Sequence, residues 1–277
     1  MYSVIIPTYN RHSDLYKCLN CLSEYFDASK NGDFKVEVIV SDDARQQEVR
    51  EYLAANFPWA RYLEGPSRGP AANRNNGAAH AKGEWLVFTD DDCLPAEGWL
   101  HAFHAISQGA AVLEGRTIAD RPQQRLDEES PLNFSGGYLW SCNFAIRKSI
   151  FDSLNGFDEA FPFPAMEDMD LKCRIDAAGV GASFVPEAVV VHPWRKSRGT
   201  DFMVKHQKSV FYFWAKHKDQ APDSLSRYYC TGGLRSLVKR TIPGAIRYRC
   251  RGLKTAVTHD AWYFYQSLRF LFHRSAD

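Results

Sequence analysis

The chain has 277 residues, 45% of them hydrophobic, and a formal net charge of +1. That content can fill a sizeable core and excludes a disordered chain, and no run approaches the roughly 20 apolar residues that a bilayer-spanning helix needs. Seven scattered cysteines, an odd number, with no leader-like segment before the first apolar run, predict a reducing, cytosolic setting.

From Tyr2 to Phe88 short apolar runs alternate with helical patterns. Val4-Ile5-Ile6 reads as a strand, Ser13 to Tyr25 as a helix, Val36 to Val40 as a strand and Gln47 to Ala55 as a helix. Arg61 to Leu63, a helix over Ala71 to Ala81 and the strand Trp85 to Phe88 complete the series. Apolar runs too short for helices, interleaved with helices, predict βαβ units and a parallel sheet covered on both faces. Cys18 and Cys21 form a C-x-x-C, but it lacks a partner pair or histidine at zinc spacing and lies among Leu15, Leu19 and Leu22, so it reads as helix core.

Ligands of such sheets bind at the carboxyl ends of the strands. Three of those ends carry polar groups: Thr8-Tyr9-Asn10-Arg11, Asp42-Asp43 and Asp90-Asp91-Asp92. The triple aspartate is the most telling. Clustered carboxylates repel one another unless a cation neutralises them, and a hard divalent ion, Mn²⁺ or Mg²⁺, takes a carboxylate or two together with phosphate oxygens. This points to a metal-bound nucleoside diphosphate.

The second half follows a different pattern. Arg121 to Asn133, with two prolines and three consecutive acids, is expected to be a mobile polar loop. After Gly136-Gly137 and the stretch Tyr138 to Ile146 come a short helix near Lys148 to Leu154 and a helix from Glu167 to Ala178, closed by Gly179. Two short strands are expected at Ala182 to Val185 and Ala188 to Val191, with His192 at the end of the second. Beyond Trp194 only helical patterns remain, so the expected division is a body over 1–194 and a tail over 195–277.

Seven elements carry a family resemblance through their order and spacing. They are Val4-Ile5-Ile6-Pro7-Thr8-Tyr9-Asn10-Arg11, Val40-Ser41-Asp42-Asp43, Gly69-Pro70-Ala71-Ala72-Asn73-Arg74-Asn75, Phe88-Thr89-Asp90-Asp91-Asp92, Gly156-Phe157-Asp158-Glu159, Glu167-Asp168-Met169-Asp170-Leu171 and Val191-His192. Over nearly all of 2–194 the chain resembles the inverting family 2 glycosyltransferases with the GT-A fold. It departs at Ala44-Arg45, where that family usually has Gly-Ser. The resemblance implies an α/β fold, a GT-A-type nucleotide-binding sheet flanked by helices, here followed by a C-terminal helical extension.

Further implications concern roles. Thr8, Tyr9, Asn10 and Arg11 would meet the donor nucleotide, Asp43 would accept the imide N–H of a pyrimidine with Asp42 bracing the turn, and Arg74 would offer its fork to the diphosphate. Asp90 would contact the ribose or the metal shell, with Asp91 less defined. Asp92 would bind the metal and His192 could add a nitrogen ligand. Asp168 would be the base that deprotonates the acceptor hydroxyl, with Glu167 orienting the acceptor or its loop. Trp140 and Asn143 fall where sugar or acceptor contacts are expected, although core packing suits Trp140 equally well. The donor would be UDP- or dTDP-linked ahead of GDP-linked, and the acceptor a glycan or a lipid-linked one in bacterial surface polysaccharide or glycolipid assembly.

The near-neutral total charge conceals a division. Up to Trp194, 17 Lys and Arg face 28 Asp and Glu; from Arg195 to Asp277, 17 face 5. The tail's Arg247, Arg249, Arg251 and Lys254, followed by Trp262-Tyr263-Phe264-Tyr265, suit an anionic membrane surface or a lipid-diphosphate acceptor, placing the protein peripherally at the inner face of a membrane. A packed helical cap with a solvated basic face is the plain alternative. No nucleic-acid motif is present. Two other functions stand beside the transferase: a nucleotidyltransferase, which normally has a glycine-rich basic loop that Thr8 to Arg11 is not, and a non-catalytic scaffold, against which Asp92 and Asp168 together argue.

Overall fold

A computed structural model describes residues 1–26 and 34–272. The strands, in chain order, are β1 (Tyr2–Thr8), β2 (Val36–Asp42), β3 (Ala60–Glu64), β4 (Trp85–Phe88), β5 (Leu94–Pro95), β6 (Val112–Ala119), β7 (Glu128–Glu129), β8 (Phe144–Arg147), β9 (Ala182–His192) and β10 (Arg195–Lys196). The helices are α1 (His12–Leu22), α2 (Gln47–Asn56), α3 (Pro70–Ala79), α4 (Trp99–Ile106), α5 (Lys148–Ser153), α6 (Glu167–Ala177), α7 (Thr200–Lys216), α8 (Leu225–Ser236), α9 (Ile242–Arg247) and α10 (Leu253–Phe272).

Eight strands form one sheet in the order β3-β2-β1-β4-β8-β6-β9-β5. The first four are parallel, as the alternating pattern predicts. The rest is mixed: β8 runs antiparallel to both β4 and β6, β6 is parallel to β9, and β5 is antiparallel to β9. The expectation of a parallel sheet therefore holds for one half only. Side chains of β1 alternate between two cores, Val4 and Ile6 joining one with Val38, Val87 and Trp99, and Ile5 the other with Ile39, Phe88 and Phe144. This is the period-two signature of a sheet buried on both faces.

The two short strands expected near the end of this region are one strand, β9. Its pairing with β6 jumps from Gly115↔Val185 to Arg116↔Val189, so Pro186 falls in a bulge where its missing N–H costs nothing.

The chain divides into two compact units. One comprises residues 1–120 and 131–193, the other residues 121–130 and 194–277. Residues 121–130 thus group with the C-terminal unit. The polar loop expected at Arg121 to Asn133 is anchored there: β7 pairs with β10, Arg121 binds Glu128, Arg125 binds Asp127, and Leu126 N–H donates to Arg251. Residues 273–277 of the expected tail lie outside the described residues. Among the described residues no helix is long and apolar enough to cross a membrane.

Candidate active site

The carboxyl ends of β1, β2 and β4, the first turns of α3 and α6, and the end of β9 supply the polar groups of the first unit. Between α3 and the strands the fastening is tight. Asn73 donates to the carbonyls of Thr8 and Ser41, and Asn75 exchanges bonds with both main-chain groups of Phe157. Arg74, between them, is thereby aimed along the strand ends. It is buried, with Nη2 2.6 Å from Asp90 Oδ1, Nη1 3.6 Å from Glu167 Oε1, and the Phe157 ring beneath its guanidinium.

Glu167 and Asp168 open α6. Met166, which precedes them, has φ of 74°, a left-handed conformation that is unusual for a side chain of this size and marks an enforced turn. Behind the turn, buried Asp170 pairs with Arg174, whose Nη1 donates to the Leu154 carbonyl. The first turn of α6 is thus pinned from its interior side. Glu167 is buried and Asp168 half-buried. Burial, reinforced by the charge of Asp168 and opposed by Arg74, pushes Glu167 up to about 7. Burial also raises Asp168, against the N–H groups of Met169 and Ser141 that favour its ionised form. Such a pair holds a proton to higher pH than an isolated carboxyl does.

This has a consequence for stability. A carboxyl whose folded pKa lies above its unfolded value favours folding at low pH and loses that contribution as pH rises through the folded value. Glu167→Gln, which does not titrate, should therefore match wild type near pH 4.5 and exceed it near pH 8 by about 3 kcal/mol, or roughly 6–12 °C in Tm. Thermal melts at the two pH values would read this directly; equal differences at both would contradict a raised Glu167.

At the end of β4 the three aspartates take different directions. Asp90 is half-buried and faces Arg74. Asp91 is buried, accepts from the Thr8 hydroxyl at 2.9 Å and pairs with Arg11 at 3.1 Å. Its pKa is nonetheless raised to about 6, because burial outweighs both partners. Thr8 and Asp91, expected to meet the nucleotide, bind each other here and tie β1 to the aspartate turn. Arg11 also approaches Asp92, at 3.5 Å, and serves as countercharge to this cluster.

Asp92 Oδ1 lies 3.7 Å from His192 Nε2, and with Cys93 Sγ these atoms lie within 4.8 Å of one another. Nδ1 of His192 is 2.9 Å from the Pro193 carbonyl, which obliges Nδ1 to carry the proton. Burial lowers the His192 pKa, so the neutral ring turns a lone pair towards an anionic oxygen. Two electron-rich atoms facing each other at this distance fit a shared divalent cation. Burial raises the Cys93 thiol well above its ordinary value, and the Asp92 carboxylate with the His192 imidazole forms a mixed oxygen and nitrogen donor set of the kind Mn²⁺ accepts.

The loop after β2 is built from its acids. Asp42 accepts from the N–H groups of Ala44 and Gln46, bracing the turn as expected. Asp43 accepts from Ser67 N and Gly69 N, one on each oxygen, and so holds the segment before α3. Tyr9 is exposed, and Asn10 binds Gln46 Nε2.

Asn143 does not belong to the site. It is 1% exposed, accepts from Trp99 Nε1 at 2.8 Å and donates to the carbonyls of Arg116 and Ala188. A Cβ on Gly115 would strike this amide, so the strand passes over it without a side chain. Asn143 is a core linker between β6, β9 and α4, which corrects the expected sugar contact. Asn143→Ala should cost about 3 kcal/mol by leaving these groups unpaired, lowering the urea midpoint without changing nucleotide affinity. Trp140, half-buried, stacks flat on exposed Tyr138 at 5.3 Å.

Glu114 is a residue that sequence reasoning missed. Buried on β6, it accepts from the N–H groups of Gly137, Tyr138 and Leu139 and from the Asn133 amide. It shapes the turn that leads to Trp140 and Ser141. An acid between Leu113 and Gly115 in an apolar strand was the available signal.

The family model for glycosyl transferase family 2 matches residues 3–154, more than half of the chain. The chain belongs to glycosyltransferase family 2. An uncharacterized glycosyltransferase of Haemophilus influenzae is 29% identical over 236 residues, covering 76% of this chain and 75% of that protein. A GalNAc(5)-diNAcBac-PP-undecaprenol beta-1,3-glucosyltransferase of Campylobacter jejuni is 35% identical over 126 residues, 43% of this chain and 38% of that one. Among solved structures, a mannosyltransferase from Pyrobaculum calidifontis, in complex with GDP-Man and Mn²⁺, superposes with a TM-score of 0.60 at 18% identity, covering 98% of this chain and 74% of that one. The mixed sheet flanked by helices, with a helical C-terminal region, is thus the GT-A-type fold of a glycosyltransferase.

Proposed function

We propose that this glycosyltransferase moves a sugar from a nucleoside diphosphate to a hydroxyl acceptor with inversion, and does so with a divalent cation. The observation that carries this reading is the position of Arg74, which joins Asp90 on the aspartate turn to Glu167 beside Asp168. One row of charges runs from a cation-ready pair to a half-buried carboxylate with a raised pKa.

Inversion is a single in-line displacement, needing a base on the acceptor side and charge stabilisation on the leaving side. Asp168 takes the acceptor hydroxyl proton as the new bond forms. Glu167 holds Arg74 in place, and Arg74 offers the leaving diphosphate a fixed positive charge in a site of low polarity. Asp92 and His192 hold the cation, which when bound neutralises charge on the departing nucleoside diphosphate. Each Asp43 oxygen keeps a second lone pair, enough to accept a pyrimidine imide N–H without releasing the loop. The flat Tyr138–Trp140 pair offers a stacking platform for a sugar. A lipid-linked or glycan acceptor fits the wording of the Campylobacter relative's name.

The test is product stereochemistry. Incubation with UDP-, dTDP- and GDP-sugars, Mn²⁺ and hydroxyl acceptors should give a glycoside whose anomeric configuration, read by proton NMR, is opposite to that of the donor. A retained configuration would exclude single displacement. Turnover undiminished by chelator would exclude the cation.

A further inference from the structure

In the second unit, helices α8 and α9 are joined without a break by a π-helical turn, Leu237–Thr241. Leu234, Val238, Ile242 and Ile246 follow one another at intervals of four and are 55%, 53%, 53% and 80% exposed. In an α-helix four residues turn about 400°, so such a row drifts about 40° at each step. The wider π turn makes roughly 330° over four residues and takes the drift back at the middle step. The four aliphatic side chains therefore stay on one face. Without the π turn the last would lie about 120° from the first.

Basic side chains run beside this row. Arg235, Lys239 and Arg247 each follow an aliphatic member by one position, and all three are exposed. Between Asp223 and Asp260 the chain holds eight Lys and Arg and no Asp or Glu. None of the eight forms an ion pair among the described residues, although ion pairs are frequent elsewhere in the chain. At the end of the row Arg247, Tyr248, Arg249 and Arg251 line a hollow of about 300 Å³ with Gln123 and Gln124. Arg249 and Cys250 both have left-handed φ, 50° and 59°, which turns the chain sharply and brings the three arginines round one opening.

We propose that this face docks on an anionic lipid bilayer, the aliphatic row entering the acyl boundary and the arginine-lined hollow receiving a phosphate headgroup. Charge complementarity selects this occupant. Exposed aliphatic groups with unpaired cations alongside match a surface that is apolar below and negative above. A protein partner would need to bring its own concentrated negative charge to this face. The proposal is independent of whether the first unit transfers a sugar.

The experiment is flotation of the full chain with vesicles of phosphatidylcholine alone or with roughly a third phosphatidylglycerol, at low and high salt. At least about tenfold more protein should float with the anionic vesicles at low salt. Ile242→Asp/Ile246→Asp, at exposed positions, should reduce that fraction about tenfold, as should Arg247→Ala/Arg249→Ala/Arg251→Ala. Circular dichroism and nucleoside-diphosphate binding should be unchanged, which separates lost docking from lost folding. Absence of flotation with anionic vesicles at low salt would overturn the proposal. So would flotation that the aspartate variant leaves intact, or flotation equal on the neutral vesicles.

Discussion

Asp168→Asn is expected to lower kcat by about 10²–10⁴-fold while KM for the donor changes little. The substitution preserves size and leaves an oxygen for the Met169 N–H, which Asp168 Oδ1 accepts at 2.8 Å, so the first turn of α6 should keep its shape. What is lost is the ability to take a proton. The raised pKa of Asp168 makes it a stronger base than a solvated aspartate, and in the proposed role it acts in its ionised form. Wild-type turnover should accordingly be full at high pH and fall as pH drops, with its acid limb above the usual carboxylate range. Glu167→Gln should move that limb downward, because a neutral neighbour no longer opposes ionisation of Asp168. Steady-state kinetics at saturating donor across the pH range measure all of this. A kcat within tenfold of wild type for Asp168→Asn would remove it from the role of base and direct attention to Glu167.

The legibility of this molecule in its sequence follows the range of the interactions involved. β1 to β4 could be read because their apolar runs are short, separated by helices and buried on both faces, a local pattern with one usual outcome. The strands after Phe88 gave no such guide, since a buried strand looks alike whether its neighbour runs parallel or antiparallel. Pro186 read as a strand break, yet a bulge opposite Gly115/Arg116 absorbs it. The acids of 127–129 read as a mobile loop because β7 pairs with β10, whose residues lie more than sixty positions away. Asn143 and Glu114 make the same point from opposite directions. Glu114 lies within an apolar strand and Asn143 just before one; the sequence presents Asn143 as a site residue and gives Glu114 no role. Their roles are set by partners on other strands and turns. Asp92 and His192 are paired by family order, and Arg74 reads in the sequence as a group for the diphosphate. That it bridges the carboxylates of Asp90 and Glu167 required the fold.

Asp92→Asn should abolish the dependence of nucleoside-diphosphate binding on Mn²⁺, with a fall in affinity of at least about 10²-fold in the presence of the ion. Asp92 Oδ1 and His192 Nε2 present negative charge and a lone pair to each other at 3.7 Å, and the Nδ1 bond to Pro193 fixes which nitrogen does so. Asparagine keeps the size of the side chain and loses the charge that would hold the ion. The variant should therefore fold as wild type does, while Mn²⁺ no longer raises its Tm. His192→Ala removes one ligand but leaves the carboxylate, so about a 10–100-fold loss is expected. Calorimetric titrations of nucleoside diphosphate with and without Mn²⁺, paired with thermal shifts by the ion alone, separate metal loss from misfolding. If Asp92→Asn kept a wild-type Mn²⁺ response, the cation would have to be held elsewhere on the aspartate turn, and Asp90, already committed to Arg74 at 2.6 Å, would have to leave that pair to hold it.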